Sequence, residues 1–488
     1  MNHRMILRLI CYILRVEAVC LLPSLGISFF RGEVQAAWGT GITIALAGVL
    51  SLSTFLLPPK DKQILAREGF LSVALCWVAV SLVGALPFFL GGAIPSYIDC
   101  LFETVSGFTT TGASILTEIE GLPLGLLYWR SFTHWLGGMG VLVFLLAVMP
   151  MGKGRNSLLH VMRAESPGPQ VDKLVPKLQN SAKILYAIYI GLTLLQVAFL
   201  LAGGMPLFDA LTTAFGTAGT GGFSIKNDSL MSYSPYLQGV CTVFMALFGI
   251  NFSIFYLLLL RQFHKVLHNQ ELWLYLGVMA ASIAVITWDI FSLYQGVGEA
   301  LHQAAFQVSS IMTTTGFATA DFNQWPALSK TVLVVLMFIG ACAGSTGGGV
   351  KAARVLLLCK SGRRSVKRML RPRSVAQVHM DGQTVEEEVI QNTHSYLALY
   401  LAILVVSTLF VALDEFSLET NATAVIACLN NIGPGLEMVG PMGNFSEFSR
   451  ASKLLLSFDM LVGRLEIFPM LLLFAPSIWK RRRIIRRM

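Results

Sequence analysis

Val105-Ser106-Gly107-Phe108-Thr109-Thr110-Thr111-Gly112 returns in altered form three more times along the chain. The later copies are Ala214-Phe215-Gly216-Thr217-Ala218-Gly219-Thr220-Gly221, Ser309-Ser310-Ile311-Met312-Thr313-Thr314-Thr315-Gly316 and Ala427-Cys428-Leu429-Asn430-Asn431-Ile432-Gly433. With the last glycine of each copy as marker, the spacings are 109 residues (221 − 112), 95 (316 − 221) and 117 (433 − 316). Such regularity fits duplication of one unit, and the period is too long for a solenoid. Each copy ends a short mixed segment flanked by two strongly apolar ones, as Pro95–Thr110 lies between Leu71–Leu90 and Leu126–Val148. A helix needs about 20 residues to cross hydrocarbon, so the flanking segments can span and the middle one cannot. The unit reads as span, short helix, glycine loop, span, in parallel order.

Composition agrees with a membrane as the main solvent. Hydrophobic residues fill 55% of the 488 positions, charged residues 13%, and the mean hydropathy is +0.66, whereas a soluble chain carries about 25% charge. Apolar stretches recur from Met5–Phe30 to Met460–Pro476, leaving no soluble domain. Arg8 and Arg15 interrupt the first stretch, and it exceeds the usual length of a signal-peptide core, so it reads as a retained helix although Val34-Gln35-Ala36 resembles a cleavage site. The eight cysteines lack the short paired spacings of a metal site or disulfide framework and read as small buried hydrophobes.

The net charge of +9 does not point to nucleic acid, because the basic residues fall in blocks between apolar segments. The blocks are Lys60–Arg67, Lys153–Lys183, Arg261–Lys265, Lys360–Arg373 and Lys480–Arg487, and the positive-inside rule places each in the cytoplasm. The chain must then cross an even number of times between successive blocks, and two spans lie in every such interval. The expected architecture is an all-α polytopic membrane protein. It has ten spans, both termini cytoplasmic, and four parallel span–pore helix–span repeats around one pore after an N-terminal two-helix hairpin. The hairpin covers residues 1–58 and the repeats 69–150, 180–262, 271–359 and 393–479, with a basic tail at 480–488.

Irregular backbone at membrane depth is tolerated only where it is buried in protein or lines water, so four such loops at one depth imply a shared aqueous axis. A dehydrated cation needs oxygens in place of its water shell, and backbone carbonyls supply them where glycine frees the chain from side-chain obstruction. The candidate filter is Thr110, Thr111 and Gly112; Thr220 and Gly221; Thr314, Thr315 and Gly316; and Asn431, Ile432 and Gly433. Threonine hydroxyls add oxygens, and each short helix turns its negative C-terminal end toward the path, which favours cations. The expected ligand is a monovalent cation, potassium, at the filter carbonyls. Loop 4, with Asn430, Asn431 and Ile432 in place of three threonines, is expected to be the least regular quarter.

In repeat 3, Ile339–Val350 reads Ile-Gly-Ala-Cys-Ala-Gly-Ser-Thr-Gly-Gly-Gly-Val. Each glycine costs a helix about 1 kcal/mol relative to alanine, so a loop at 340–350 under the filter is preferred to a close-packed helix crossing. It is not a phosphate-binding loop, because Val350 separates Gly349 from Lys351 and Ala352 replaces the required Ser or Thr. Arg464 sits in the last apolar span, where an ionisable group is costly and faces the protein interior or water. It reads either as half of an interhelical salt bridge or as a fixed positive charge below the filter; Glu466, two residues on, would face elsewhere on a regular helix. His134 reads as a hydrogen-bonded histidine, Glu386–Glu388 as a solvated charge run and Asp321 as an exposed loop acid. No His-Glu-x-x-His, Gly-x-Ser-x-Gly or intramembrane aspartate pair is present, so an enzyme is not expected.

These loops, with Arg130-Ser131, Trp135-Leu136-Gly137-Gly138-Met139-Gly140, Ala164-Glu165-Ser166-Pro167-Gly168-Pro169 and Gly463-Arg464-Leu465-Glu466-Ile467-Phe468-Pro469, resemble the bacterial Trk potassium-uptake subunits nearly end to end. That superfamily also holds the Ktr and plant HKT transporters. The resemblance implies potassium uptake across the bacterial cytoplasmic membrane by a homodimer with one pore per protomer. It also implies a cytoplasmic nucleotide-binding regulatory subunit that controls opening, and no organic cofactor in this chain. It makes Gly344, Ser345, Thr346, Gly347, Gly348 and Gly349 the gate candidates, and it favours a place for Arg464 beside the cavity below the filter. The blocks Lys360–Arg373 and Lys480–Arg487 are able to meet an acidic partner, although topology and anionic lipid account for them more simply. A symporter coupling potassium to protons or sodium is the alternative that the residues leave open.

Overall fold

The computed structural model describes residues 3–56, 66–138, 140, 178–372 and 376–476. Met139, the far part of Leu126–Val148, the Ala164–Pro169 motif, the tail 480–488 and most of the blocks Lys60–Arg67 and Lys153–Lys183 lie outside the described residues.

In chain order the helices are α1 (His3–Arg31), α2 (Val34–Leu56), α3 (Ala66–Gly84), α4 (Leu86–Leu90), α5 (Tyr97–Phe108), α6 (Leu124–Gly138), α7 (Leu178–Ala202), α8 (Leu207–Gly219), α9 (Pro235–Phe248) and α10 (Phe252–Leu259). There follow α11 (Phe263–Leu267), α12 (Gln270–Ile290), α13 (Val297–Met312), α14 (Ala327–Ile339), α15 (Ala352–Leu370), α16 (Glu387–Val411), α17 (Leu418–Leu429), α18 (Arg450–Arg464) and α19 (Phe468–Leu472). One small antiparallel pair, β1 (His379–Met380) with β2 (Gln383–Thr384), interrupts the helices.

Among the described residues five helical stretches are long and apolar enough to cross a membrane: Val34–Leu52, Glu68–Leu90, Lys183–Ala202, Gln270–Leu293 and Glu387–Asp414. The pair α9 and α10 makes a sixth if its 90° bend is counted as one span. Local chemistry starts many of the helices. Ser96, Ser234, Asn269, Ser417 and Ser449 each accept a backbone N–H of the first turn of α5, α9, α12, α17 and α18, the usual work of an N-cap.

The four short helices α5, α8, α13 and α17 differ from the spans in burial. Their C-terminal halves are buried on every side, at Phe102–Phe108, Thr212–Gly219, Phe306–Met312 and Thr423–Leu429. A helix apolar or small all round belongs in a core, and here the core is the centre of the molecule. The helix following each loop packs on the next short helix: α6 on α8, α9 on α13, α14 on α17, and α18 back on α5. The packing therefore runs in a closed circle. Outside it, α1 and α2 pack together, with α1 also against α3 and α6.

The sequence leads to one interrupted span, and the structure has more. The break at 340–351 between α14 and α15 is as expected. In addition, α9 gives way to α10 across Gly249–Asn251, where Asn251 Oδ1 caps Ser253 N at 2.8 Å. The helix α18 stops at Arg464, with Glu466 at φ +57° and Ile467 at φ +70°. A β-branched residue at positive φ is uncommon; Pro469 in the first turn of α19 starts a new helix directly after it. The block Lys360–Arg373 is largely the last part of helix α15. All eight cysteines are free, but Cys359 is exposed and Cys20 half-buried, which corrects the expectation that all are buried.

Candidate functional site

The four short helices end on one backbone course. Thr110, Thr220, Thr314 and Asn431 have φ of +55°, +54°, +60° and +55°, and two residues later Gly112, Gly222, Gly316 and Gly433 have φ of +83°, +74°, +85° and +98°. The residue between turns its amide back into the helix. Thr111 N donates to Ser106 O (2.9 Å), Gly221 N to Gly216 O (2.9 Å), Thr315 N to Ser310 O (2.8 Å) and Ile432 N to Ala427 O (2.9 Å).

The loops meet edge to edge. A side chain at Gly112 would strike the Gly221 carbonyl, one at Gly222 the Thr315 carbonyl, and one at Gly316 the Ile432 carbonyl. At Gly433 a Cβ would lie 2.7 Å from the Thr111 carbonyl, so the fourth loop closes on the first. Glycine is required twice over at these positions, by the left-handed backbone and by the neighbouring quarter's oxygen. Thr110, Thr111, Thr220, Thr314, Thr315, Asn431 and Ile432 are all fully buried in this ring.

This geometry corrects one register. The sequence pairs Gly221 with Gly112, but the backbone pairs Gly221 with Thr111 and Gly222 with Gly112. The spacings become 110 (222 − 112) and 94 (316 − 222). Gly221 stays in the ring as the residue whose carbonyl meets Gly112, while its own α-carbon faces the His134 ring.

Loops 1 and 3 carry the same hydroxyl pair, Thr109 Oγ1 with Thr111 Oγ1 and Thr313 Oγ1 with Thr315 Oγ1, each 2.8 Å apart. Loop 4 replaces that pair with a bond across the seam. Asn431 Nδ2 donates to Thr111 Oγ1 at 2.9 Å and to Met460 O at 2.9 Å. Loop 2 has neither, since the Thr220 hydroxyl donates to the adjacent Gly219 carbonyl at 2.6 Å.

On one side of the ring the outgoing limbs are tied in turn. Phe445 N donates to Ser114 O (2.8 Å) between quarters 4 and 1, and Leu230 N to Ala318 O (3.0 Å) between quarters 2 and 3. Asn323 exchanges bonds of 3.0 and 2.9 Å with the Glu437 backbone between quarters 3 and 4. Side-chain bonds from Ser417 and Thr420 hold the Glu437 carboxyl below the usual carboxylate range. The seam between quarters 1 and 2 is tied by Asn227, whose Oδ1 accepts from Ile119 N at 2.9 Å and whose N–H donates to Glu120 Oε1 at 3.3 Å, and by the fully buried Arg130, whose Nη1 donates to Ser224 O at 2.7 Å and whose Nε lies 2.6 Å from Glu103 Oε1.

On the other side, segment 340–350 lies against the ends of short helices α13 and α17. Gly348 N donates to Thr314 Oγ1 at 2.7 Å, a Cβ at Gly347 would lie 2.9 Å from Thr313 O, and one at Gly348 2.5 Å from Asn430 O. Thr346, Gly347, Gly348 and Gly349 are buried, Ser345 is half-buried and Gly344 exposed. Arg464 Nη1 donates to Thr346 O at 2.8 Å and Nη2 to Gly138 O at 2.8 Å and to Gly137 O. It thus joins the ends of α6 and α18 to the segment. Lys351 Nζ donates to Gly347 O at 2.6 Å, and Glu271 Oε1 accepts from Ala343 N (2.6 Å) and Ala353 N (3.1 Å), gathering both ends of the segment. Glu466, whose backbone has left the helix, pairs with Arg354.

Glu271, Arg354 and Glu103 were not singled out from sequence, and Lys351 only in excluding a phosphate-binding loop. Neither acid stands out locally: Glu271 lies in the first turn of α12, where acids are common, and Glu103 four residues after Asp99 in the mixed segment Pro95–Thr110. His134 is fully buried, with Nδ1 2.8 Å from Gly107 O, so it is hydrogen-bonded as read from sequence. Glu387 departs from a simple solvated run, since Arg364 grips it with bonds of 2.6 and 2.9 Å. Asp321 is half-buried and accepts from Asn323 N at 3.1 Å, rather than being a free loop acid.

Apolar helices surrounding a closed ring of four helix-ended loops define an integral membrane protein with a single backbone ring at its centre. The family model of the TrkH cation transport proteins matches residues 39–481. The chain is 34% identical to the Trk system potassium uptake protein TrkH of Salmonella typhimurium, over 98% of this chain and 100% of that one. It is 35% identical to the Halomonas elongata protein of the same name, over 99% and 100%. The crystal structure of the potassium transporter TrkH from Vibrio parahaemolyticus superposes with a TM-score of 0.87 at 30% identity, covering 98% of this chain and 100% of that one. The chain belongs to the TrkH family of cation transport proteins.

Proposed function

We propose that this chain takes up potassium across the bacterial cytoplasmic membrane through a channel-like pore, with the four-loop ring as selectivity filter. The observation that carries this reading is the closure of the ring: each positive-φ glycine lies against a carbonyl of the next quarter, through all four seams. Such a ring presents backbone oxygens at the negative ends of four short helices, the setting in which carbonyls replace a cation's hydration shell. The names of the relatives supply the ion.

Segment 340–350 with Arg464 is the gate in this reading. Its Thr346–Gly349 part is buried against the ring's threonine and asparagine layer, and the segment is held by contacts that a displacement would break. The accompanying arrangement is ten spans in four parallel repeats after the hairpin, both termini in the cytoplasm, and a homodimer regulated by a cytoplasmic nucleotide-binding subunit. The basic face of α15 is suited to that partner or to anionic lipid.

The test is flux through the purified full-length chain in liposomes. The reversal potential should follow the potassium gradient, whereas a displacement by the proton or sodium gradient would favour coupled symport.

A further inference from the structure

We infer that Arg130, paired with Glu103, is a positioning residue that sets the shape of the second quarter of the ring and thereby the discrimination of potassium from sodium. The inference rests on the reading of the ring as a filter.

Quarter 2 is the least self-supporting part of the ring. Gly219, Gly221 and Gly222 surround its single Thr220, and glycine has more backbone freedom to lose than any other residue. It lacks the hydroxyl pair of quarters 1 and 3 and the side-chain crossing of quarter 4. Its geometry is therefore imposed by groups outside the loop.

Those groups come from α6. The Arg130 guanidinium lies 3.6 Å from the centre of the Phe223 ring, next to Gly222, and its Nη1 donates to Ser224 O at 2.7 Å. Phe223 is sandwiched by His134, whose ring centroid is 4.1 Å away and whose imidazole also faces Gly221. The rest of the fork is anchored in quarter 1. Nε donates to Glu103 Oε1 (2.6 Å) and Nη2 to Ser114 Oγ (3.2 Å), while Glu103 Oε2 accepts from Ile115 N (2.9 Å).

Ser114 and Ser224 each stand two residues beyond a ring glycine, Gly112 and Gly222. One guanidinium thus spans matching points of adjacent quarters. Every seam carries backbone or neutral side-chain bonds, and seam 4–1 adds an ion pair of Lys453 with Asp99 at 2.8 Å whose carboxylate is 23% exposed; at seam 1–2 the ion pair is fully buried, with side-chain exposures of 2% and 0%. A buried pair costs desolvation and is often replaceable by apolar residues without loss of stability, so stability alone does not account for its presence. A planar fork with donors in fixed directions does account for it, and lysine's single ammonium cannot reproduce that fork.

The experiment compares Arg130→Lys, the double variant Arg130→Met with Glu103→Met, and Gly316→Ser, each as the purified full-length chain in liposomes. The readouts are the potassium-to-sodium permeability ratio from bi-ionic reversal potentials and the thermal unfolding midpoint. Arg130→Lys is expected to lower the ratio about tenfold, the scale of one charge-assisted hydrogen bond, in a protein that still folds. The double variant removes both charges together, keeps the fold and lowers the ratio likewise. An unchanged ratio in either folded variant overturns the role of Arg130. If neither folds, the pair is structural and the inference falls. If Gly316→Ser also leaves the ratio unchanged, the filter reading itself has failed; if only Gly316→Ser lowers it, the inference alone has failed.

Discussion

Gly433 lies with its α-carbon face against the carbonyl of Thr111, 322 residues earlier (433 − 111), and this contact completes the ring. A Cβ there would sit 2.7 Å from that oxygen and 3.0 Å from the Gly112 carbonyl carbon, on a backbone at φ +98°. The first and last repeats of the chain are neighbours around one centre. Under the proposed reading of the ring as a filter, selectivity depends on all four glycines, including the one in the loop without threonines.

Substituting a ring glycine is expected to damage discrimination before it damages folding. Strain at a left-handed position costs roughly 1–3 kcal/mol, which a single seam can absorb by widening. Gly222→Ala and Gly316→Ala should each lower the potassium-to-sodium permeability ratio by about tenfold or more, by the conversion of 1.4 kcal/mol per decade. Bi-ionic reversal potentials check this. A normal ratio in Gly222→Ala would return the marker position of loop 2 to Gly221.

The segment 340–350 is held against the ring by named bonds, so on the proposed reading shortening it should open the path. Deletion of Gly347–Gly349 removes the Gly348 N to Thr314 Oγ1 bond and the Lys351 Nζ to Gly347 O bond. The expected outcome is a higher basal leak of potassium from liposomes without any regulator. A folded deletion variant that stays closed would show the gate to lie elsewhere.

Arg464 donates to carbonyls of three separate residues, and in the proposed reading it sets a fixed positive charge beside the ion path. Arg464→Ala should raise potassium flux, because a fixed positive charge next to a resident cation raises its barrier. Flux that is lost in a variant with normal thermal unfolding would assign the residue a bracing role instead.

Arg354 and Glu466 form a buried pair beneath the segment, with Arg354 also lying 4.2 Å from the centre of the Tyr396 ring. Removing one partner leaves a buried charge, so Glu466→Ala should destabilise the protein by about 3–5 kcal/mol. Replacing both with methionine should restore most of that loss. Thermal unfolding in detergent measures both, and equal loss in single and double variants would argue that the pair has no mutual role.

Much of the fold was legible because its periodicities are local. The apolar spans, the short helices that end near Phe108, Gly219, Met312 and Leu429, and the break at 340–350 all follow from composition within a few tens of residues. The loop-2 register was not, since Gly219, Gly221 and Gly222 offer several equal alignments and only the signs of φ decide among them. Nor were the breaks after Phe248 and Arg464, although Gly249 and Asn251 stand at the first and Glu466 and Pro469 at the second; at the first, partners distant in the chain take up the freed backbone groups. The Cys342 N to Gly249 O and Phe252 N to Gly344 O bonds, each 3.0 Å, do so at the first break. The Arg130 seam was invisible for the same reason: Ser224 lies 94 residues away in sequence.

The most direct measurement of the central claim is the reversal potential of the purified full-length chain in liposomes, with potassium on one side and sodium on the other. The account predicts a potential close to the potassium Nernst value, insensitive to an imposed proton gradient and reduced by Gly316→Ser. A potential near zero in the unaltered chain, or one that Gly316→Ser leaves in place, would contradict the assignment of the four-glycine ring as the filter.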